Sequence, residues 1–525
     1  MQSVEKLPED FPIQSLLIAN RGEIALRIIR ACKDMGIRSI AVYSFADRGS
    51  LYVREADDAI CIGEPQASQS YLNIPKLIAA AQQTGASAIH PGYGFLSENP
   101  DFAQACADAN IIFVGPPAHI QRLLGEKTSA RNVALQAHAP IPPGVNHDIA
   151  DAAEAKRLAD SIGYPVLLKA ASGGGGKGIR FVYRPEDLED ALRLARSEAK
   201  AAFNDERVYL EKAIKPARHI EVQIFGDAYG NVAHLGEREC SLQRRNQKLV
   251  EETPSAVLSD ALRNEITAAA VNIAKHAGYV SAGTVEFLLD NEKNFYFMEV
   301  NTRLQVEHPV TELRTGIDLV KEQIRVAGGL PLSFRQEDIH FSGHAIECRI
   351  TAEDSLNKFL PSAGFVQEVH EPQGPGVRVD SGLFRGAEVS LYYDSLLAKL
   401  IVWGANRDEA ITRMKRALQE YSIIGLKTTI PFAIYIMEHP RFIAADLSTG
   451  FIAETWDVDA EKIKNGAEIL SDPSYVGLTH SQAMAALAAI EMMTGSHGVS
   501  NTEETAPAQS VSRWKSTGLG WRRSI

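Results

Sequence analysis

The chain has 525 residues, with 54 Lys and Arg against 66 Asp and Glu, a formal charge of −12. That length outgrows one ordinary core and calls for roughly two to four packed units. The acidic balance argues against general affinity for nucleic acid or anionic membrane, so a phosphate-bearing substrate would need positive charge supplied by its own site.

Leu16 to Ala19 reads as a short strand that turns at Asn20-Arg21-Gly22 into a helix-period segment over 23–35. A second strand, Ser39 to Tyr43, follows Gly36. Further units end in Ala88-Ile89 before HPGYGF and in Ile111 to Val114 before GPP. Strands alternating with helices at this spacing predict a doubly wound parallel sheet, whose ligands gather at the carboxyl ends of the strands. The Pro-rich break around Pro140 to Gly144 closes this first unit, taken as 1–140. Residues 141–210 form a small insert holding PVLLKA, SGGGGKG and IRFVY. Residues 211–343 read as a mixed α+β unit with hairpins, 344–456 as a further α+β unit, and 457–525 as an extension with one helical stretch, Ser481 to Met493. Five scattered cysteines (Cys32, Cys61, Cys106, Cys240, Cys348) without a Cys-x-x-Cys pair disfavour a disulfide framework or zinc site. The first fifteen residues lack the basic start and apolar run of a signal peptide. No stretch reaches the ~18 apolar residues that span a bilayer. A soluble, cytoplasmic protein is expected.

Three segments carry chemistry. Gly173 to Gly176 and Gly178 surround Lys177 between two strand-like runs, the first holding Lys169. A glycine run alone is a flexible linker; strands on both sides make it a hairpin tip whose backbone N–H groups can approach a polyphosphate. It is not a Walker A loop, because a strand follows it. In GTVEFLLDNEKNFYFMEVNTRLQVEHP, two apolar runs flank a polar loop, Asp290 to Asn294, with Glu286 in the first run and Glu299 in the second. If the second run stays extended, Glu299, Asn301, Arg303, Gln305 and Glu307 share one face. Two carboxylates and an amide oxygen suit Mg²⁺ beside phosphates. The third segment, Glu237 to Lys248, is a charge run that by itself reads as solvated surface.

Taken together, the segments IANRGEIALRIIRA, IHPGYGFLSEN, SGGGGKG, CSLQRRNQKLVEE, FMEVNTRLQVEHPVTE, GHAIECRITAED and YYDSLLAKLIVWG resemble the biotin carboxylase subunits and domains of biotin-dependent carboxylases, members of the ATP-grasp superfamily. The resemblance covers roughly residues 14–456. It implies an ATP-grasp domain with a mobile glycine-rich lid and a C-terminal α+β biotin carboxylase domain. By resemblance, Lys127 and Lys169 contact ATP phosphates, with Gly174, Gly175, Gly176 and Lys177 on the lid. Glu211 lies at the hinge beside adenine, and His219, Gln243 and Asn246 contact the nucleotide. Glu286, Glu299 and Asn301 hold Mg²⁺ or Mn²⁺. Lys248, Arg303, Gln305 and the backbone of Val306 form the bicarbonate pocket, Glu307 is the base, and Arg349 stabilises the biotin enolate. Tyr93 belongs to the motif near biotin. Asn246 stands where His is common, which implies altered ATP affinity or pH dependence and retained activity.

The only Met-Lys, Met414-Lys415, sits in a helical pattern, not in a biotin attachment hairpin. The resemblance therefore implies a homodimer that works with a separate biotin carboxyl carrier protein and a separate carboxyltransferase subunit. The acceptor is expected to be an acyl-CoA (acetyl- or propionyl-CoA). A two-subunit pyruvate carboxylase and a catalytically silent scaffold paralogue are the alternatives. Trp514 and Trp521, beside Arg513, Lys515, Arg522 and Arg523, read as a docking tail for a partner subunit.

Overall fold

Three consecutive apolar residues, Leu16, Leu17 and Ile18, leave water only if both faces of their strand are covered. The computed structural model, which describes residues 7–145, 147–171 and 179–464 (without the side chains of 203 and 461–464), covers both. β1 (Ser15–Ile18) lies at the centre of a five-stranded sheet with β2 (Arg38–Ser44), β3 (Asp58–Gly63), β4 (Ala88–His90) and β5 (Ile112–Phe113), in the order β3-β2-β1-β4-β5. Every pairing is parallel, which is the doubly wound arrangement predicted. Leu16 and Ile18 enter one apolar cluster, while Leu17 joins Ile40 and Val42 in another. α1 (Gly22–Met35) leads from β1 to β2 and ends at Gly36, whose φ of 70° lets its N–H turn back to the carbonyls of Cys32 and Lys33.

β6 (Val166–Ala170), β7 (Ile179–Val182) and β8 (Val208–Lys212) form a small antiparallel sheet, ordered β7-β6-β8, beyond α2 (Lys127–Gln136). The strands on either side of the glycine run thus pair with each other, as a hairpin requires. Gly174, Gly175, Gly176 and Lys177 themselves lie outside the described residues, as do the helical stretch 481–493 and the proposed docking tail.

The larger sheet contains β9 (Arg218–Gly226), β10 (Val232–Arg244), β11 (Gln247–Thr253), β12 (Ser281–Leu289), β13 (Phe295–Asn301), β14 (His344–Thr351), β15 (Val377–Ser381) and β16 (Leu396–Gly404). Its order is β13-β12-β9-β10-β11-β14-β16-β15, antiparallel throughout. It runs unbroken across residue 344. Alternation sets its two faces. Ile220, Val222 and Ile224 of β9 pack with Val285, Phe287 and Leu289 of β12 against α3 (Asp260–Ala277). His219, Glu221, Gln223, Thr284 and Glu286 therefore point the other way, and they too are buried. α4 (His308–Thr315) covers part of this polar side, with Val310 on Ala345 and Ile401. α5 (Arg407–Glu420) packs on the apolar side, where Met414 is fully buried. Met414-Lys415 is thus part of a core helix. The five cysteines are all unpaired. Among the described residues no helix is long and apolar enough to cross a membrane.

Candidate active site

Buried charge is tolerated where opposite charges meet, and the polar face of the large sheet is built that way. Glu307, fully buried at the start of α4, accepts from Lys248 Nζ at 2.8 Å and from Arg349 Nη2 at 2.9 Å. Lys248 donates also to Glu286 at 2.8 Å and to Glu221. Glu221 in turn accepts from Arg238 Nε, and the other Arg238 nitrogens reach Gln223 at 2.7 Å, Thr311 at 3.0 Å and Thr284 at 3.1 Å. Burial works against the Lys248 ammonium, but Glu221, Glu286 and Glu307 push its pKa well above the lysine range. Burial likewise disfavours the Glu286 carboxylate, yet Lys248 and His219 hold it down to about 2.

The extended face predicted from Glu299 to Glu307 ends early. β13 stops at Asn301, and Pro309, in the first turn of α4, fixes a helical φ there, so the chain turns into a helix instead of continuing as a strand. Arg303 and Gln305 reach the same place through a loop. Arg303 donates to Glu98 Oε2 at 2.9 Å, to Gln305 Oε1 at 2.7 Å and to Asn301 Oδ1 at 3.2 Å. The amides of Asn301 and Gln305 donate to Glu286 at 2.8 and 3.3 Å. The Val306 carbonyl accepts from Lys399 Nζ at 3.0 Å, and that ammonium lies 5.6 Å from the centre of the Tyr93 ring. The Tyr93 hydroxyl is buried with no hydrogen-bond partner among the described residues.

A second group gathers around the small sheet. Lys169 Nζ lies 2.5 Å from Glu211 Oε1, and Arg131 pairs with the other Glu211 oxygen at 3.2 Å. Burial opposes the Lys169 charge, but Glu211 outweighs it and raises the pKa. Lys127, at the start of α2, is shifted down by burial. Glu299 acts on both lysines through its charge and makes no hydrogen bond among the described residues. It stands directly opposite Glu286 across β12 and β13. That carboxylate, with Glu286 and the Asn301 amide oxygen, is a hard-oxygen set that fits Mg²⁺ or Mn²⁺. His219 belongs to the first group, beside Glu286 and Glu221. Its ring accompanies Gln243 Nε2 at 2.9 Å, and Nε2 lies 3.2 Å from Glu286; burial is outweighed by that carboxylate, and the His219 pKa rises to about 9.

Asn246 stands apart, exposed in the two-residue turn between β10 and β11. Arg245 and Asn246 have φ of 51° and 67°, and Asn is among the residues that best tolerate this left-handed region. The turn itself therefore supplies a backbone reason for Asn here.

Sequence reasoning missed Glu221, Arg238, Glu98 and Lys399. Glu221 was within reach, because the alternation His219-Ile220-Glu221-Val222 places it on the face of His219. Glu98 and Lys399 reach the site across the fold, and local pattern carries no signal for them.

Residues 12–120 match the family described as "Biotin carboxylase, N-terminal domain", residues 126–335 "Carbamoyl-phosphate synthase L chain, ATP binding domain", and residues 347–454 "Biotin carboxylase C-terminal domain". "Biotin carboxylase 1" of Bacillus subtilis (strain 168) is 53% identical over 447 residues, covering 85% of this chain and 99% of that protein. A pyruvate carboxylase subunit of Methanothermobacter thermautotrophicus is 51% identical over 450 residues, covering 86% of this chain and 91% of that protein. Among solved structures, the biotin carboxylase domain dimer of Hydrogenobacter thermophilus 2-oxoglutarate carboxylase, in complex with MgADP, ADP and bicarbonate, matches with a TM-score of 0.82 at 47% identity. It covers 85% of this chain and 98% of that one.

Proposed function

The chain belongs to the biotin carboxylase family of ATP-grasp ligases, and from that premise we propose that it carboxylates biotin on a separate carrier protein, using ATP and bicarbonate, as the first half-reaction of a multi-subunit carboxylase. The observation that carries this reading is Glu307, fully buried yet bonded at once by Lys248 and Arg349, with Arg303 and Gln305 one loop away.

A bicarbonate ion among Lys248, Arg303, Gln305 and the Val306 backbone meets a carboxylate base surrounded by cations. Glu307 takes its proton, a role worth about 10²–10⁴-fold in rate. The freed oxygen attacks the γ-phosphorus of ATP as the bond to the β-phosphate bridge breaks, giving carboxyphosphate and ADP. Lys127, Lys169 and the lid residues Gly174 to Lys177 neutralise and cover the phosphates, while Glu211, His219 and Gln243 line the nucleotide. A divalent cation held by Glu286, Glu299 and Asn301 would offset charge on the β- and γ-phosphates. Carboxyphosphate then splits to CO₂ and phosphate, and the phosphate removes the ureido proton of biotin. Arg349 stabilises the resulting anionic oxygen from a fixed position, with Tyr93 beside the ring, and the biotin nitrogen attacks CO₂. Enclosure matters because water would hydrolyse the intermediate.

The carrier, the carboxyltransferase and a second copy of the chain are the partners of this reading, with the cytoplasm as its setting. The unpaired state of all five cysteines accords with a reducing compartment. The acceptor is read as an acyl-CoA; its choice falls to the transferase, so pairing the chain with acyl-CoA and pyruvate transferases and comparing product formation tests it. The half-reaction is tested by ATP turnover with Mg²⁺ and bicarbonate, with and without free biotin. Turnover that requires bicarbonate, rises with biotin and falls at least ~10²-fold in Glu307→Gln supports it. Turnover indifferent to biotin would point to another ATP-grasp ligase. None at all, even with a biotinylated carrier, would favour a scaffold.

A further inference from the structure

β14 reads Ala345-Ile346-Glu347-Cys348-Arg349-Ile350. Ile346, Cys348 and Ile350 enter the apolar core with α5, so Ala345, Glu347 and Arg349 face the other way, toward α4. On the neighbouring strand β11, Glu251 stands directly opposite Glu347 in antiparallel register, which sets their Cβ atoms ~4.5–5.5 Å apart. Both residues are fully buried. Glu251 Oε1 accepts from Arg349 Nε at 2.6 Å. Glu251 Oε2 and both carboxyl oxygens of Glu347 have no hydrogen-bond partner among the described residues. Neither carboxyl has a part in the chemistry above.

Two buried carboxylates side by side do not both ionise without cations of their own. The cations facing them are Arg349, Lys248 and Lys399. Arg349 is shared with Glu307, and Lys248 with Glu221, Glu286 and Glu307. Lys399 lies 3.4 Å from Glu23 and 3.7 Å from Asp380. The remaining titratable neighbours bring no positive charge. The Cys240 and Cys348 thiols are kept neutral by burial, and His308 on α4 by burial and by Lys399, Arg27 and Arg378. Burial pushes both glutamates above the usual carboxylate range.

On the reading of the chain as a biotin carboxylase, we infer that Glu251 and Glu347 hold one proton between them and act as a positioning pair for Arg349, anchoring its Nε edge while leaving its remaining charge for the anionic oxygen of biotin. With both ionised, Arg349 would face three carboxylates, Glu307 included, and its attraction for a fourth negative group would be largely cancelled. Raising the pH removes the shared proton, so biotin-dependent turnover falls on the alkaline side. Bicarbonate-dependent ATP hydrolysis without biotin forms no such anion and falls less.

The test uses the full chain, free biotin, and infrared spectra across the pH range. Wild type should show the carbonyl band of a buried protonated carboxylic acid at neutral pH, titrating together with the alkaline loss of biotin-dependent turnover. Glu347→Gln, a neutral isostere, should abolish that band and move the alkaline limb upward by about one pH unit or more, which is tenfold at a fixed alkaline pH. Glu251→Gln, which removes a charged partner from Arg349, should lower biotin-dependent kcat about tenfold, with a smaller effect on biotin-independent hydrolysis. An unmoved alkaline limb in Glu347→Gln, or equal losses at every pH and in both reactions, would reduce the pair to a structural element and overturn the proposal. The infrared band of the wild type decides the proton even if a variant fails to fold. Absence of biotin stimulation in the wild type would instead overturn the functional reading, a distinguishable result.

Discussion

Leu16, Leu17 and Ile18 of β1 are all buried against apolar neighbours; Ile220, Glu221 and Val222 of β9 are buried just as deeply, and the middle one is a carboxylate. The five-stranded parallel sheet keeps its faces apolar and puts polar groups at its strand ends, where Asn20 holds the Pro91 and Tyr93 carbonyls at 2.7 and 2.8 Å. The eight-stranded antiparallel sheet gives much of one face to charged and polar side chains, beside apolar patches such as Ala345 and Ile401 under Val310. In the first sheet, interior residues serve stability and loops serve chemistry. In the second, the strand interior is itself the site, so stability and chemistry rest on the same side chains.

Substitutions can break that contrast. Arg238 and Glu221 are both fully inaccessible and bonded to each other. Arg238→Met leaves the buried Glu221 carboxylate with Lys248, itself shared with Glu286 and Glu307, and should cost about 3–5 kcal/mol in chemical denaturation. It should also lower activity, because Glu221 positions Lys248. Adding Glu221→Leu should restore much of the stability and none of the activity. Recovery of both would show that the charged face is not the site. Leu17→Ala in the first sheet should cost about 2–5 kcal/mol while leaving kcat per folded molecule within about twofold of wild type.

A smaller effect concerns the joint between the sheets. Glu312 on α4 accepts from Arg27 of α1 at 2.9 Å and from Arg378 of β15 at 2.7 Å. Burial alone would raise its pKa, but the two guanidiniums hold it down to about 2. A folded pKa below the unfolded ~4.3 means stability that is present above pH ~4.3 and lost as the pH falls toward 2. The loss should amount to about 3 kcal/mol. Glu312→Gln should flatten the acid limb of the stability curve in that window; an unchanged limb would remove Glu312 from the account.

The smallest effect is expected at Asn246. Asn246→His should change the KM for ATP by less than about tenfold and leave kcat nearly intact. Asn246→Val should cost about 1–2 kcal/mol through its positive φ. A large loss of ATP affinity in both variants would give the exposed turn a binding role.

Much of this was legible from local pattern. The run Leu16 to Ala19, the helix that follows it, and the paired runs around Asp290 to Asn294 all appear close to where they were read, because each is set by apolar spacing and turn residues close in sequence. The cluster around Glu307 was legible through resemblance, and through alternation only as far as Asn301. What lay hidden depends on distant partners. Glu98 meets Arg303, Lys399 meets the Val306 carbonyl, and Glu251 faces Glu347 only because β11 pairs with β14. Sequence spacing does not encode such meetings; strand order in the large sheet does.

Activation of bicarbonate at Glu307 and its attack on ATP can be followed with ¹⁸O-labelled bicarbonate. After biotin-dependent turnover one bicarbonate oxygen should appear in the inorganic phosphate, with transfer suppressed in Glu307→Gln in step with the rate. Phosphate carrying oxygen from water alone, at undiminished turnover, would contradict it.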